Sequence, residues 1–460
     1  MAVMRFSGFS DDLARQLKVT LGFSLPLIAS NLAQSSKHLT DAVMLGRYGV
    51  DELAAGVLGG TVFMIIFIVG SGFGMAAVPL ASAARGAGLT WRVRRVVRMS
   101  LWLTFLFWLA MITPMLFVEE LLLLFGQQDL VADLAGEYML VALWGILPAM
   151  TVMVLKSFFM ALGRPRVIFW ATLIGAVLNI PANYAFIFGN WGAPELGIKG
   201  AAIATIAAHG VSLLIMLLHL ATRSAYRRYE LFRRFWTPDW PCFREVFRLG
   251  WPISLTLTAE TGFFAICSIM MGWISTENLA AHGIALESAA FVFMIYLGIS
   301  NAATAQVGFA TGSCDRAALT LAAKAAVLLT LAAATSVVIV FLCFPEILVL
   351  AFLDRDSSQA AAVLAIGITL IQLAAAFQIG DAMQVVALGL LRGMSDTRMP
   401  MIIATISYTI IGVPTSYVLG FVLGFGGTGV WIGFIVGLGI AAILLFLRFR
   451  ILLAEFSPHA

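Results

Sequence analysis

Charge is scarce in this chain. Of its 460 residues, 11% are Asp, Glu, Lys or Arg and 61% are hydrophobic, whereas a soluble domain has about a quarter of its residues charged. With a mean hydropathy of +0.98, that excludes a soluble globular fold and predicts an all-α polytopic membrane protein. Cysteine is rare too: the four, at 242, 267, 314 and 343, fall in loops expected to be cytoplasmic or inside spans, with no CxxC. Neither a disulfide nor a structural metal site is expected. The sequence holds no metal-ligand cluster, nucleophile elbow or phosphate loop, which argues against an enzyme and against a bound cofactor. The segment MAVMRFSGFSDDLARQLK at residues 1–18 lacks a short apolar core ending in a cleavage site, so no removable signal peptide is expected. Its Arg5, Arg15 and Lys18 are placed to touch lipid headgroups.

Apolar runs, by contrast, are abundant. A hydrocarbon core of about 30 Å takes roughly 20 helical residues, and twelve such spans can be laid along the chain, from 20–45 to 429–449. The bulk of the 28 Lys and Arg lies at the N-terminus, in the even-to-odd loops or at the C-terminus. Arg47, Lys199 and Arg355 lie in the opposite loops, and Lys37 and Lys156 within spans. The positive-inside rule therefore places both termini in the cytoplasm. The basic pI of about 9.0 has the same origin and does not point to nucleic acid.

The run 26–77 repeats at 252–303 without a gap. Identities in one register include Pro26/Pro252, Met44/Met270, Gly46/Gly272, Phe67/Phe293 and Gly72/Gly298. NIPANY around Pro181 likewise resembles GVPTSY around Pro414, and GIKGAA at Gly197 resembles GGTGVW at Gly426. Both halves start on the same side, so the pattern predicts a parallel repeat of six helices. An N-terminal half at 1–221, a cytoplasmic linker at 222–248 and a C-terminal half at 249–460 follow. The arginine-rich linker is expected to form an interfacial helix.

Acids inside the spans do not follow the repeat. Asp41 falls opposite Cys267, and Glu260 falls opposite Gln34. Asp41, Glu260, Glu287 and Asp381 are the candidates for charge within the membrane, where such groups normally face a bundle interior or a wet cavity. Lys37 precedes Asp41 by four residues on one helix face and either pairs with it or snorkels to an interface. Pro26 either bends the first span or only packs there. Asn179 and Asn183 share a face near Pro181; their oxygens suit a hard cation such as Na⁺, and they serve equally as interhelical glue. Thr205 and His209 are again four apart.

TDAVMLGRYGVDELAAG, MALGRPR, LNIPANYAFIFG, PELGIKGAAIAT, ENLAAHGIALESAAFVFM and FQIGDAMQVVALGLLRGMSDT occur in an order that resembles the multidrug and toxic compound extrusion (MATE) family, nearest its bacterial NorM-like branch. The resemblance runs over nearly all of residues 20–450. It implies twelve helices in two six-helix lobes around a central cleft, in the bacterial plasma membrane, and export of diverse, mostly cationic organic compounds coupled to Na⁺ or H⁺. A monomer is expected to suffice. The resemblance also implies cation-site roles for Asp41, Asn179, Asn183 and Thr205 in the N-terminal lobe and for Glu260 and Asp381 in the C-terminal lobe. Phe377 stands where some relatives have an aromatic hydroxyl. Pro26, Lys37 and Glu287 are candidates for tuning these sites. Rival expectations are a lipid-linked oligosaccharide flippase of the same wider superfamily, whose pyrophosphate headgroup would call for inward arginines, and an ion channel.

Overall fold

The structure, a computed structural model, describes residues 9–353 and 359–456. Arg5 and Arg355, two of the charges on which the expected orientation rests, lie outside the described residues. Those described are helical, with no strand. Helices α1 (Phe9–Tyr48), α2 (Val50–Met75), α3 (Ala77–Gly86), α4 (Thr90–Leu116), α5 (Val118–Leu124) and α6 (Asp129–Ala161) come first. Next are α7 (Pro165–Phe188), α8 (Gly197–Thr222), α9 (Ser224–Arg227) and α10 (Trp240–Ile274). Then follow α11 (Thr276–Gly312), α12 (Arg316–Cys343), α13 (Pro345–Leu350), α14 (Ala360–Gly393), α15 (Arg398–Thr405), α16 (Val413–Tyr417) and α17 (Gly426–Glu455).

Eleven stretches among the described residues are helical, long and apolar enough to cross a membrane. The protein is a multi-pass membrane protein. The remaining long helix, α1, has the length but is interrupted by Asn31, Gln34, Ser35, Ser36, Lys37, His38 and Asp41. Local sequence sets the joints. Gly163 ends α6 in the left-handed region (φ 71°) and Pro165 begins α7, the order that glycine and proline favour at a helix end and a helix start. Ser275 and Asp315 cap α11 and α12 by accepting from the backbone N–H of Asn278 and Ala318, which satisfies donors that a helix start leaves unpaired. Around Pro414 the backbone widens into π-helical turns, Ile406–Gly412 and Val418–Val422. A proline inside a helix removes a donor and pushes on the preceding turn. At Pro181, its repeat counterpart, α7 stays α-helical.

The chain divides into two compact units, Ala29–Ser254 and Met1–Ile28 with Leu255–Ala460. The division cuts α1 after Ile28 and α10 after Ser254, two residues beyond Pro26 and Pro252, which are repeat counterparts. Each unit therefore contains the leading turns of the other half's first helix. Inside the first unit, those turns cross α2 at Gly72, where an added Cβ would lie 2.7 Å from the Ser254 backbone nitrogen. Inside the second, they cross α11 at Gly298, where an added Cβ would lie 2.9 Å from the Ile28 nitrogen. The same glycine at the same repeat position permits the same backbone crossing twice.

The first unit is filled by Trp108, Met115, Met139, Ile146, Met150 and their neighbours. In the second, an aromatic cluster of Phe263, Phe377, Trp431 and Phe434 sits beside smaller residues of α11 and α14. The expected interfacial helix over 222–248 is not formed. Only α9, four residues long, is helical before turns in which Glu230 and Arg234 adopt left-handed φ of 43° and 52°. The turns are fixed instead by polar contacts within the first unit. Arg98 donates to the Arg234 carbonyl at 2.7 Å, Trp102 to the Phe235 carbonyl at 3.2 Å, and Arg95 pairs with Asp239. The helix resumes at Trp240, earlier than the span alone required.

Candidate functional site

In the first unit, three helices bring polar side chains together. Asp41 comes from α1, Asn179 and Asn183 from successive turns of α7, and Thr205 from α8. The Asn183 amide donates to Asp41 Oδ1 at 2.5 Å and the Thr205 hydroxyl donates to Oδ2 at 2.9 Å. The same amide nitrogen lies 3.3 Å from Asn179 Oδ1. Both asparagines are fully buried, and neither Asn183 Oδ1 nor Asn179 Nδ2 has a hydrogen-bond partner among the described residues. One hydrogen bond to each oxygen holds the carboxyl group in one orientation. The Asp41 carboxylate, Asn179 Oδ1 and the Thr205 hydroxyl are oxygens of the kind that hard cations favour, and the Asn183 amide nitrogen bridges the first two. All four residues named from the sequence are thus in one place.

In the second unit, Glu260 on α10 accepts from Gln384 Nε2 on α14 at 3.4 Å. Asp381 lies one turn before Gln384 on the same helix and is 2% exposed, with Oδ1 unpartnered. The two carboxyl groups are within electrostatic reach of each other, and Glu260 also of the Arg392 guanidinium. Among the described residues no ion pair forms between Arg392 and either acid. Several further polar atoms are buried and unpartnered here: Gln378 Oε1 and Nε2, Gln384 Oε1 and the Tyr296 hydroxyl. Native interiors leave few polar atoms so, since each costs about 1–3 kcal/mol. Buried polar atoms of this kind are ones that an internal water or a polar ligand can satisfy.

Four other residues named from the sequence stand differently. Phe377 supplies no donor; its ring packs edge-on against Phe264, Trp431 and Phe434 at 5.7–6.1 Å between centroids. Glu287 is exposed and makes no hydrogen bond or ion pair with the acids of the second unit among the described residues, so it stands apart from that cluster. Lys37 neither pairs with Asp41 nor snorkels. It is 5% exposed, and its Nζ lies 3.3 Å from His209 Nε2. Pro26 lies inside a helix that continues through it.

Sequence reasoning missed Gln384, Arg392 and Tyr408. None interrupts an apolar run strongly, and Arg392 reads as the basic end of a span. The acceptor of Gln384, Glu260, lies 124 residues away in the chain, so no local spacing signals it.

Comparison with known proteins agrees with this architecture. The family model MatE matches residues 26–185 and 252–418, the two halves of the repeat. The chain is 45% identical over 444 residues to a "Probable multidrug resistance protein NorM" of Rhizobium meliloti, covering 96% of this chain and 94% of that protein. It is 43% identical over 435 residues to a protein of the same name from Agrobacterium fabrum, covering 95% and 94%. A crystal structure of MATE in complex with MaD3S superposes with a TM-score of 0.87 at 21% identity over 98% of this chain and 99% of that one, a likeness of fold. The duplicated helices, the polar groups buried in each unit and these matches lead to one assignment: the chain belongs to the MATE family.

Proposed function

We propose that this protein exports diverse, mostly cationic lipophilic compounds across the bacterial plasma membrane in exchange for Na⁺ or H⁺. It acts as a monomer with both termini in the cytoplasm, and its substrate path opens to one side of the membrane at a time. Two relatives more than 40% identical over nearly the whole chain bear the name of a multidrug resistance protein. The observation that carries the coupling is chemical. Asp41 with its asparagine and threonine oxygens, and Glu260 with Asp381, are carboxylates held inside otherwise apolar helices. Charge at such depth is costly unless an ion or proton offsets it. An inorganic cation or a proton bound at either group removes that cost, and its release restores it. The group is then a load that the ion's gradient can move.

Energetics fix what such an exchanger can do. One cation entering for each monovalent cationic substrate leaving moves no net charge, so the membrane potential, about 2.3 kcal/mol per charge per 100 mV, adds nothing. A tenfold ion gradient, worth about 1.4 kcal/mol, then supports about a tenfold substrate gradient. Export of ethidium from proteoliposomes under separately imposed Na⁺ and pH gradients tests this reading. Acceleration by one gradient supports it. Export indifferent to both, or steady single-channel currents in a planar bilayer, contradicts it.

A further inference from the structure

We infer that the first unit holds a binding site for a small anion, a halide or the carboxylate of an organic acid, between Lys37 and Lys156. Lys37 of α1 and Lys156 of α6 face one cavity of about 60 Å³, lined also by Gln34, Thr172, His209 and Ser212. Such a volume holds several waters, or one small anion with some of its hydration. Lys156 Nζ donates to Gln34 Oε1 at 2.8 Å, and Lys37 Nζ lies 3.3 Å from His209 Nε2. Each ammonium carries three N–H donors, and each has that single side-chain acceptor among the described residues. Neither lysine makes an ion pair there. Asp41, the acid within electrostatic reach of Lys37, turns its two oxygens to Asn183 and Thr205.

The internal repeat shows that this cavity is the counterpart of the acidic cluster in the second unit, with the charge reversed. Gln34 is the counterpart of Glu260 and Lys37 of Phe263. Helices α6 and α14 end in the same way, with left-handed Gly163 (φ 71°) and Ser395 (φ 61°). The next residues, Arg164 and Asp396, bond back to the carbonyls of Phe159 and Leu391. That register pairs Ala149 with Asp381, Val152 with Gln384 and Lys156 with Leu388, and Ala149 and Val152 line the cavity. Where one unit concentrates carboxyl groups, the other has lost both and gained two ammonium groups. Two like charges a few side chains apart in a medium of low dielectric repel strongly, and an anion between them offsets the repulsion while using the spare donors.

The test uses the full chain, purified in detergent with gluconate as the bulk anion, and follows the thermal-unfolding midpoint on addition of bromide or formate. A saturable rise in the wild type is expected. It should be kept by Lys156→Arg and weakened about tenfold or more in apparent affinity by Lys156→Met and by Lys37→Met. Bromide in crystals should give an anomalous peak in this cavity. Should either methionine variant fold poorly, Lys156→Gln, which keeps a donor for Gln34 without the charge, replaces it. A rise of equal affinity in the charge-removed variants, or none in the wild type, overturns the inference. Radiolabelled benzoate separates the two sources of the anion: uptake into proteoliposomes lost in Lys156→Gln identifies the carboxylate of a cargo, and binding without uptake identifies a resident ion. Ethidium export is measured apart from this, so failure of the anion site and failure of cation-coupled export are distinguishable.

Discussion

Asn183 donates a 2.5 Å hydrogen bond to Asp41, and their repeat counterparts, Ser416 and Cys267, also meet, with the thiol 3.6 Å from the hydroxyl. The contact between the first helix of each half and its fifth is therefore part of the duplicated scaffold. The charge in it is not. Thr205, which completes the Asp41 arrangement, has Phe434 as its counterpart, and Phe434 lies in the aromatic cluster.

Replacing Thr205 by Val keeps the shape and removes the donor to Asp41 Oδ2. A hydrogen bond to a charged group is worth about 1.5–3 kcal/mol, so the ion concentration for half-maximal export should change by at least about tenfold. Ethidium export titrated with Na⁺ at fixed pH, and with pH at fixed Na⁺, measures it. An unchanged titration in both series would remove Thr205 from the site.

Gly72→Ala and Gly298→Ala place a Cβ against backbone in a crossing that recurs in each unit. Each should destabilise by about 1–3 kcal/mol, the usual cost of overpacking. Gly60, where an added Cβ would meet nothing within 4 Å, is the control, and Gly60→Ala should be neutral or stabilising by up to about 1 kcal/mol. Thermal unfolding in one detergent compares the three.

Outside the membrane, the Arg95 guanidinium bonded to Asp239 holds that carboxyl below the usual aspartate range. A depressed folded-state pKa gives stability that is fully present above the unfolded value, near 4, and is lost as pH falls through the folded value. Arg95 is 40% exposed, so solvent screening limits the pair to about 1 kcal/mol. Asp239 also accepts from the Cys242 backbone N–H at 3.3 Å, a contact asparagine can keep and alanine cannot. Unfolding midpoints should fall from wild type to Asp239→Asn to Asp239→Ala at neutral pH, and the wild-type advantage over Asp239→Asn should shrink below about pH 4.

Much of this was legible because membrane helices advertise themselves. Continuous apolar length gave the spans, one register of identities gave the duplication, and Asp41, Asn183 and Thr205 stood out as polar residues in apolar runs. What the sequence hid is which way a side chain faces. A helix apolar on most sides has no clear face, so Glu287, exposed, and Asp381, buried, read alike. Lys37 is four residues from Asp41, yet its contact is His209 on another helix, a relation that no local spacing encodes. The turns of 228–239 read as helix because their arginines fit an interfacial face, while what holds them is the distant pairing of Arg95, Arg98 and Trp102.

The central claim is that buried carboxylates carry the coupling ion. Its most direct test is ethidium export by Asp41→Asn, Glu260→Gln and Asp381→Asn in proteoliposomes under imposed Na⁺ and pH gradients, beside the wild type. At least one variant is expected to bind ethidium but lose acceleration by the gradient. Gradient-driven export at the wild-type rate in all three would contradict it.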